Sequence, residues 1–317
     1  METPVLLIIF KRPELTRRAL HAIAQARPKV LLVAADGPRT PEEKILCEQT
    51  RQVIGTVDWP CEVRTDYSDT NLGCGIRVHT AVDWALAQFE EVMILEDDCV
   101  PHRSFFRFCE TLLRHYRSDT RVMHISGNNF QPTAAATQHS DSYYFSKYAH
   151  AWGWATWRRA WRHFDWRLRQ WPQAKAQGLL EQWCETPWEK DYWRATFDAM
   201  SMGAPDVWDY QWNFAVWSQN GLVILPRVNL VSNHGWGPDA THTRGHNPFM
   251  DLETFDIGNI VHPPLFIRNV AADRLTFERN YGGAEMRAER GWGQRMKRFA
   301  KPLLRPARAL KRWLSTR

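Results

Sequence analysis

The sequence predicts an α/β protein with a mostly parallel central sheet covered by helices on both faces. Three observations carry that expectation. Short unbroken apolar runs recur through residues 1–130, they alternate with amphipathic stretches of helical period, and polar clusters follow the apolar runs. Strands buried on both faces read as continuous apolar runs, and a helix between strands is the connection a parallel neighbour needs.

The elements follow in order. "PVLLIIF" reads as a first strand, and "PELTRRALHAIAQA" as a helix with Leu15, Ala19, Leu20 and Ile23 on one face. "KVLLVAAD" is a second buried strand, followed by a polar helix from Pro41 to about Ile54. "CEVRTD" is a third short strand, and "GIRVHTAVDWALAQFEE" a helix whose Val78, Val82, Ala85, Leu86 and Phe89 keep the 3.6-residue period. "VMIL" is a fourth strand, with a helix from Phe105 to Arg117 after it. In such sheets ligands bind beyond the C-terminal strand ends. Lys11-Arg12, Asp36 and the acids Glu96-Asp97-Asp98 all sit at those ends.

The second half changes character. Twelve of the 17 tryptophans fall between Trp152 and Trp217. Trp154, Trp157 and Trp161 have helical spacing, so an aromatic core stripe is expected, with about one or two of the twelve serving as a sugar platform. Three regions result: an α/β half at 1–130, a Trp-rich half of the same domain at 131–272, and a basic amphipathic tail at 273–317.

Bulk properties exclude several classes. A 317-residue chain with 44% apolar residues is globular and buries a substantial core. The six cysteines form no C-x-x-C pair, which suits buried thiols in a reducing compartment. The apolar run Val5 to Phe10 is too short for a signal-peptide core or a membrane span. Of the net charge of +6, residues 287–317 alone carry +10, which leaves −4 on the rest. A mildly acidic body argues against nucleic acid as a partner.

Four stretches are candidates for chemistry. In "MILEDDCVP" a buried strand runs into three adjacent acids, which is a metal site for Mg²⁺ or Mn²⁺, a turn, or an N-cap in which Asp98 serves the next helix. "NLGCGIRVH" is a glycine turn whose helix start could face a phosphate. In "PDVWDYQW", Asp206 or Asp209 is a cap, or a general base in an apolar wall. In "SNHGWGPDATHTRGH", His234, His242 and His246 lie in a glycine-rich loop rather than on a zinc-binding helix, and one histidine completing a carboxylate-held metal shell is expected.

Together these motifs resemble nucleotide-diphospho-sugar transferases of the GT-A fold, the bacterial family 2-like glycosyltransferases and, more distantly, the N-acetylglucosaminyltransferase I group. The resemblance covers about residues 4–245. It implies a metal-dependent inverting transfer of a sugar from a nucleotide-diphospho-sugar, with UDP the expected nucleotide, to a glycan or a lipid-linked glycan. It implies that Arg12 approaches the nucleotide, that Asp36 binds the base, and that Asn71 and Arg77 flank the donor. Glu96 and Asp97 would contact donor sugar and ribose, and Asp98 would coordinate Mn²⁺ or Mg²⁺. Trp154 would shape the donor and acceptor pocket, Asp209 would be the base, with Asp206 the other candidate, and His242 would reach the metal and diphosphate. The rivals are a sugar nucleotidyltransferase, which normally carries a glycine-rich phosphate loop where this chain has "FKRPEL", and a non-catalytic carbohydrate-binding module.

The tail "WGQRMKRFAKPLLRPARALKRWLSTR" alternates apolar and basic residues. It reads either as an interfacial helix on an anionic membrane surface or as a disordered basic tail. The first reading places the protein in the cytoplasm, peripherally at the inner face of the cytoplasmic membrane.

Overall fold

Five consecutive apolar residues with no polar break form β1 (Val5–Ile9), all of them buried. The computed structural model describes residues 1–132, 141–203, 206–235 and 248–290. After β1 come α1 (Pro13–Ala24), β2 (Val30–Ala35), α2 (Pro41–Val53), β3 (Glu62–Tyr67), α3 (Cys74–Gln88) and β4 (Glu91–Glu96). Both α1 and α2 open on a proline, whose missing N–H costs nothing in a first turn. Thr40 caps α2 by accepting the Glu43 amide at 3.3 Å.

A short β5 (Cys99–Pro101) and α4 (Arg103–His115) follow, then β6 (Val122–Ser126), β7 (Tyr143–Ser146) and β8 (Trp154–Trp157). The helical layer of the second half comprises α5 (Arg158–Trp161), α6 (Trp171–Ala176), α7 (Leu179–Trp183), α8 (Pro187–Ser201) and α9 (Asp209–Ser218). The remaining named elements are β9 (Leu222–Pro226), β10 (Val231–Asn233) and α10 (Val270–Asn280).

Eight strands form one sheet in the order β3-β2-β1-β4-β8-β6-β9-β7. β1 pairs parallel with β2 and β4, β2 with β3, and β6 with β9. β8 is wedged antiparallel between β4 and β6, and β7 closes the edge antiparallel to β9. This is the expected mixed, mostly parallel α/β sheet with helices packed against it. Side chains alternate between its faces. Leu6, Ile8, Leu32 and Ile94 join one core with α3 and the tryptophan-rich helices, while Val5, Leu7, Leu31 and Met93 join another with α1 and α4.

Three local expectations are corrected. Trp154 and Trp157 do not lie on a helix: they open and close β8, where an odd separation sends Trp154 to one core and Trp157 to the other. Pairing with β4, with Ile94 opposite Trp154, overrides their helical spacing. Asp98 does not cap α4, because His102 does so by accepting the Ser104 amide at 3.2 Å. The expected tail boundary at 273 falls inside α10, whose Asp273, Thr276 and Phe277 are buried. No helix among the described residues is long and apolar enough to cross a membrane. The tail from residue 291 lies outside the described residues.

Candidate active site

Parallel pairing aligns the C-terminal ends of β1, β2 and β4, so Phe10-Lys11-Arg12, Asp36 and Glu96-Asp97-Asp98 meet along one edge. The acid cluster is neutralised from within the chain. Arg12 Nη2 donates to Asp97 Oδ1 and, at 2.9 Å, to Asp98 Oδ2. The Phe10 amide donates to Asp97 Oδ2 at 3.2 Å. Burial works against the charge on Arg12, but Asp97 and Asp98 outweigh it and raise its pKa. Lys11 takes no part here, since its Nζ pairs with Glu43 at 2.7 Å.

Asp98 is also gripped from the far end of the sequence. β5 pairs antiparallel with β10, setting Cys99 opposite Asn233. Asn233 Nδ2 then donates to Asp98 Oδ1 at 3.1 Å, and the His234 amide donates to the Asp98 carbonyl at 2.9 Å. Glu96, at the last position of β4, is pushed up to about 8 by burial, with Asp98 and Asp97 adding repulsion.

Beside the acids lies the turn before α3. Asp36 is 5% exposed, and both of its oxygens are occupied. Oδ1 accepts the Gly37 and Leu72 amides, each at 2.8 Å; Oδ2 accepts Asn71 Nδ2 at 2.9 Å and the Gly73 amide at 3.2 Å. Asp36 therefore shapes the turn at residues 71–73. Gly73 has φ +85°, which favours glycine, and a Cβ there would fall 2.4 Å from Asp206. The start of α3 is not open to a phosphate, because Asp206 accepts the Cys74 amide at 2.8 Å and the Gly75 amide at 2.7 Å. Asp206 is thus a cap for a helix distant in sequence. Arg77 is 4% exposed, with Nη2 donating to the Asp66 carbonyl at 2.5 Å and carboxylate at 2.8 Å.

Two adjoining cavities result. The first, about 110 Å³, is lined by Phe10, Arg12, Asp36, Asn71, Arg77 and Asp97, among others. The second, about 260 Å³, brings Glu96, Asp98 and Asp209 together with Trp152, Trp208 and Asn233. Arg12, Cys74 and Glu96 line both. Burial and the surrounding acids hold the Cys74 thiol far above its usual range, which makes it a poor nucleophile.

The structure thus gathers Arg12, Asp36, Asn71, Arg77, Glu96, Asp97, Asp98 and Asp209 around one cleft. Trp154 lines neither cavity. It is 1% exposed and stacked between His124 and Trp208 at 4.9 and 5.2 Å, so it shapes the cleft only by supporting Trp208. His242 and His246 lie outside the described residues, and His234 pairs with Asp251. Trp152, Trp208, Asn233 and Gly235 were not anticipated. A usable sequence signal existed for Gly235, which falls in the glycine-rich stretch "SNHGWGPDATHTRGH".

The donor chemistry bears on a divalent cation. Among the described residues no group of three or more His, Cys, Asp or Glu side chains could hold a metal. Glu96 and Asp98 nevertheless face the same cavity. Two carboxylates could hold Mg²⁺ or Mn²⁺ together with substrate phosphates, but both Asp98 oxygens already accept hydrogen bonds from Arg12 and Asn233, so the cation would have to share or displace them.

No protein family profile matches the sequence, and no curated protein does. Among solved structures, the chain is similar to residues 1–349 of S. aureus TarS, with 12% identity and a TM-score of 0.37 over 71% of this chain and 58% of that one. It is similar to a UDP-glucose pyrophosphorylase solved with UDP-glucose, with 10% identity and a TM-score of 0.38 over 71% and 90% of the two chains. It is also similar to the 4-diphosphocytidyl-2C-methyl-D-erythritol synthase of Anaerococcus prevotii, with 11% identity and a TM-score of 0.31 over 62% and 99%. The chain spans 58% of the TarS fragment. These likenesses are distant.

Proposed function

We propose that the protein is an inverting glycosyltransferase that moves a sugar from a nucleotide-diphospho-sugar, UDP-linked by expectation, to an acceptor hydroxyl. The observation that carries this reading is the meeting of Glu96, Asp98 and Asp209 on a single aromatic-walled cavity that adjoins a second, narrower one. In this reading the nucleotide enters at the smaller cavity, which at about 110 Å³ has room for only part of it, and the sugar and acceptor occupy the wider one.

With Asp206 committed to capping α3, Asp209 is the carboxylate assigned to the base role. It takes the proton from the acceptor hydroxyl as that oxygen attacks the anomeric carbon. The new C–O bond forms on the face opposite the bond that breaks, and the electron pair of the broken bond leaves with the nucleoside diphosphate. Arg12 supplies positive charge beside the leaving group. A divalent cation held by Glu96 and Asp98 would add further countercharge to the diphosphate. Trp152, which is half-buried, offers an apolar face for a sugar ring, while buried Trp208 closes the wall of the cavity against water.

Asp209 on the cavity and the absence of glycine from "FKRPEL" favour transfer over nucleotidyl transfer. The test is a panel of activated sugars scored for nucleoside diphosphate release, with calorimetry of UDP binding in parallel. Release from one donor, lost in Asp209→Asn with UDP binding kept, is the expected result. Release of inorganic pyrophosphate from a nucleoside triphosphate and a sugar phosphate would instead identify a nucleotidyltransferase.

A further inference from the structure

The three adjacent acids are not held alike. Glu96 lines both cavities of the cleft, and among the described residues its side chain makes no hydrogen bond. Asp97 and Asp98 share one donor atom, Arg12 Nη2. Their remaining oxygens are also taken, Asp97 Oδ2 by the Phe10 amide at 3.2 Å and Asp98 Oδ1 by Asn233 at 3.1 Å. No second cation stands ready to replace Arg12, because Lys11 is paired with Glu43.

Arg12 spends little of its donor capacity on this task. Its Nε and Nη1 have no acceptor among the described residues, its side chain is 22% exposed, and it lines both cavities. It stands in the turn between β1 and α1, so the side chain can pivot from a backbone fixed on both sides. A divalent ion and a guanidinium on one carboxylate oxygen are like charges in contact, and each weakens the hold of the other. A diphosphate alters that balance. It carries more negative charge than either aspartate, and its oxygens match the planar fork that Arg12 leaves largely unused.

We propose that Arg12 is a displaceable internal cation that couples nucleotide binding to metal binding. Without a nucleotide it sits on Asp97 and Asp98 and keeps a divalent ion out. A diphosphate entering the cleft draws it off, and the Asp98 oxygen it leaves is then open, together with Glu96, to Mg²⁺ or Mn²⁺. Ion and nucleotide therefore bind as a pair, and the acids are at no stage without countercharge. This inference rests on reading the cleft as a nucleotide and cation site; it does not require that a sugar be transferred.

The probes are Mn²⁺ alone, UDP alone and the two together, titrated into the full chain by calorimetry, with thermal unfolding in parallel. Mn²⁺ alone is expected to bind Arg12→Gln about tenfold or more tighter than the parent, a typical size for coupling between two ligands. UDP alone should bind the same variant more weakly, since its phosphate partner is gone. Mn²⁺ alone should also raise the thermal midpoint of Arg12→Gln, whose acids lack their countercharge, by more than that of the parent. Arg12→Lys keeps a cation and should exclude Mn²⁺ nearly as well as the parent. Adding Asp98→Asn to Arg12→Gln should abolish the Mn²⁺ binding that was gained. Mn²⁺ affinity that is equal in the two proteins, tighter in the parent, or absent from both overturns the proposal. If Arg12→Gln does not fold, the Nε–H resonance of Arg12 in the parent decides: UDP without metal should shift it, and an unmoved signal overturns the proposal. If Mn²⁺ binds as expected but no activated sugar releases its nucleotide, the transferase reading fails and the role of Arg12 stands.

Discussion

Gly235 lies so close to Asp98 that a Cβ added at position 235 would fall 2.0 Å from Oδ2 of that carboxylate. The carboxylate cannot swing aside freely, because Arg12 and Asn233 hold its two oxygens. Gly235→Ala should therefore displace Asp98 while leaving the sheet intact. Donor turnover is expected to fall by about tenfold or more, the cost typical of a misplaced catalytic group, with a thermal midpoint close to that of the parent. Unchanged nucleoside diphosphate release would show that Asp98 need not hold its position.

Arg12 is the cation that lets the acids coexist. The Asp97 side chain is 3% exposed and that of Asp98 12%, so removing their partner leaves buried charge uncompensated. Arg12→Gln should cost about 3 kcal/mol in urea unfolding, the low end for breaking a buried pair because Arg12 itself keeps some solvent. Arg12→Lys should recover part of that loss, since one ammonium replaces the charge without the planar fork. A Gln variant as stable as the parent contradicts the assigned role.

Asp206 and Asp209 should separate cleanly on substitution. Asp206→Ala removes the cap of α3 and is expected to cost about 1 kcal/mol of stability, with donor KM rising more than kcat falls. Asp209→Asn should abolish transfer, by about a thousandfold for a lost general base, while UDP binds as before. If Asp206→Ala instead eliminates kcat at full stability, the base has been assigned to the wrong residue.

A pH effect is expected away from the cleft. Asp273 is fully buried, accepting the Ser146 hydroxyl at 2.5 Å with Arg268 at 3.3 Å, and burial pushes it up to about 6. An unfolded aspartate titrates near 3.9, so between the two values the native state keeps a proton that the unfolded chain has lost. The stabilisation is complete below the lower value and is lost as pH rises through the upper one. A gap of about two units is worth up to about 3 kcal/mol. Urea unfolding at pH 4, 5 and 7 should show this slope in the parent and not in Asp273→Asn. Parallel slopes in both proteins would exclude Asp273 as its source.

The parts of the fold made by local rules were readable in advance. β1 to β4 and the helices between them come from apolar runs and 3.6-residue periods, which the chain carries within each segment. The insertion of β8 was not readable, because its place between β4 and β6 is decided by partners distant in sequence. The cleft divides in the same way. The acids stand out as three adjacent charges after an apolar run, but what neutralises them is an arginine 85 residues away from Asp97. The role of Asp206 was hidden for a like reason, since its acceptor bonds go to amides about 130 residues earlier. Trp152 and Trp154, two tryptophans separated by one glycine, cannot be told apart by composition. Only the strand decides which of them is sealed in the core.

The pairing of β5 with β10 has a temporal consequence. On the ribosome the strands of the donor half and Arg12 emerge early, yet the latch on Asp98 waits for Asn233, His234 and Gly235. A nascent chain stopped short of that strand would carry a sheet without a finished centre. A nucleotide that prefers the finished centre would report, in a series of stalled chains of increasing length, the moment at which the protein becomes competent. That moment should coincide with the exit of β10 and not with completion of the first four strands.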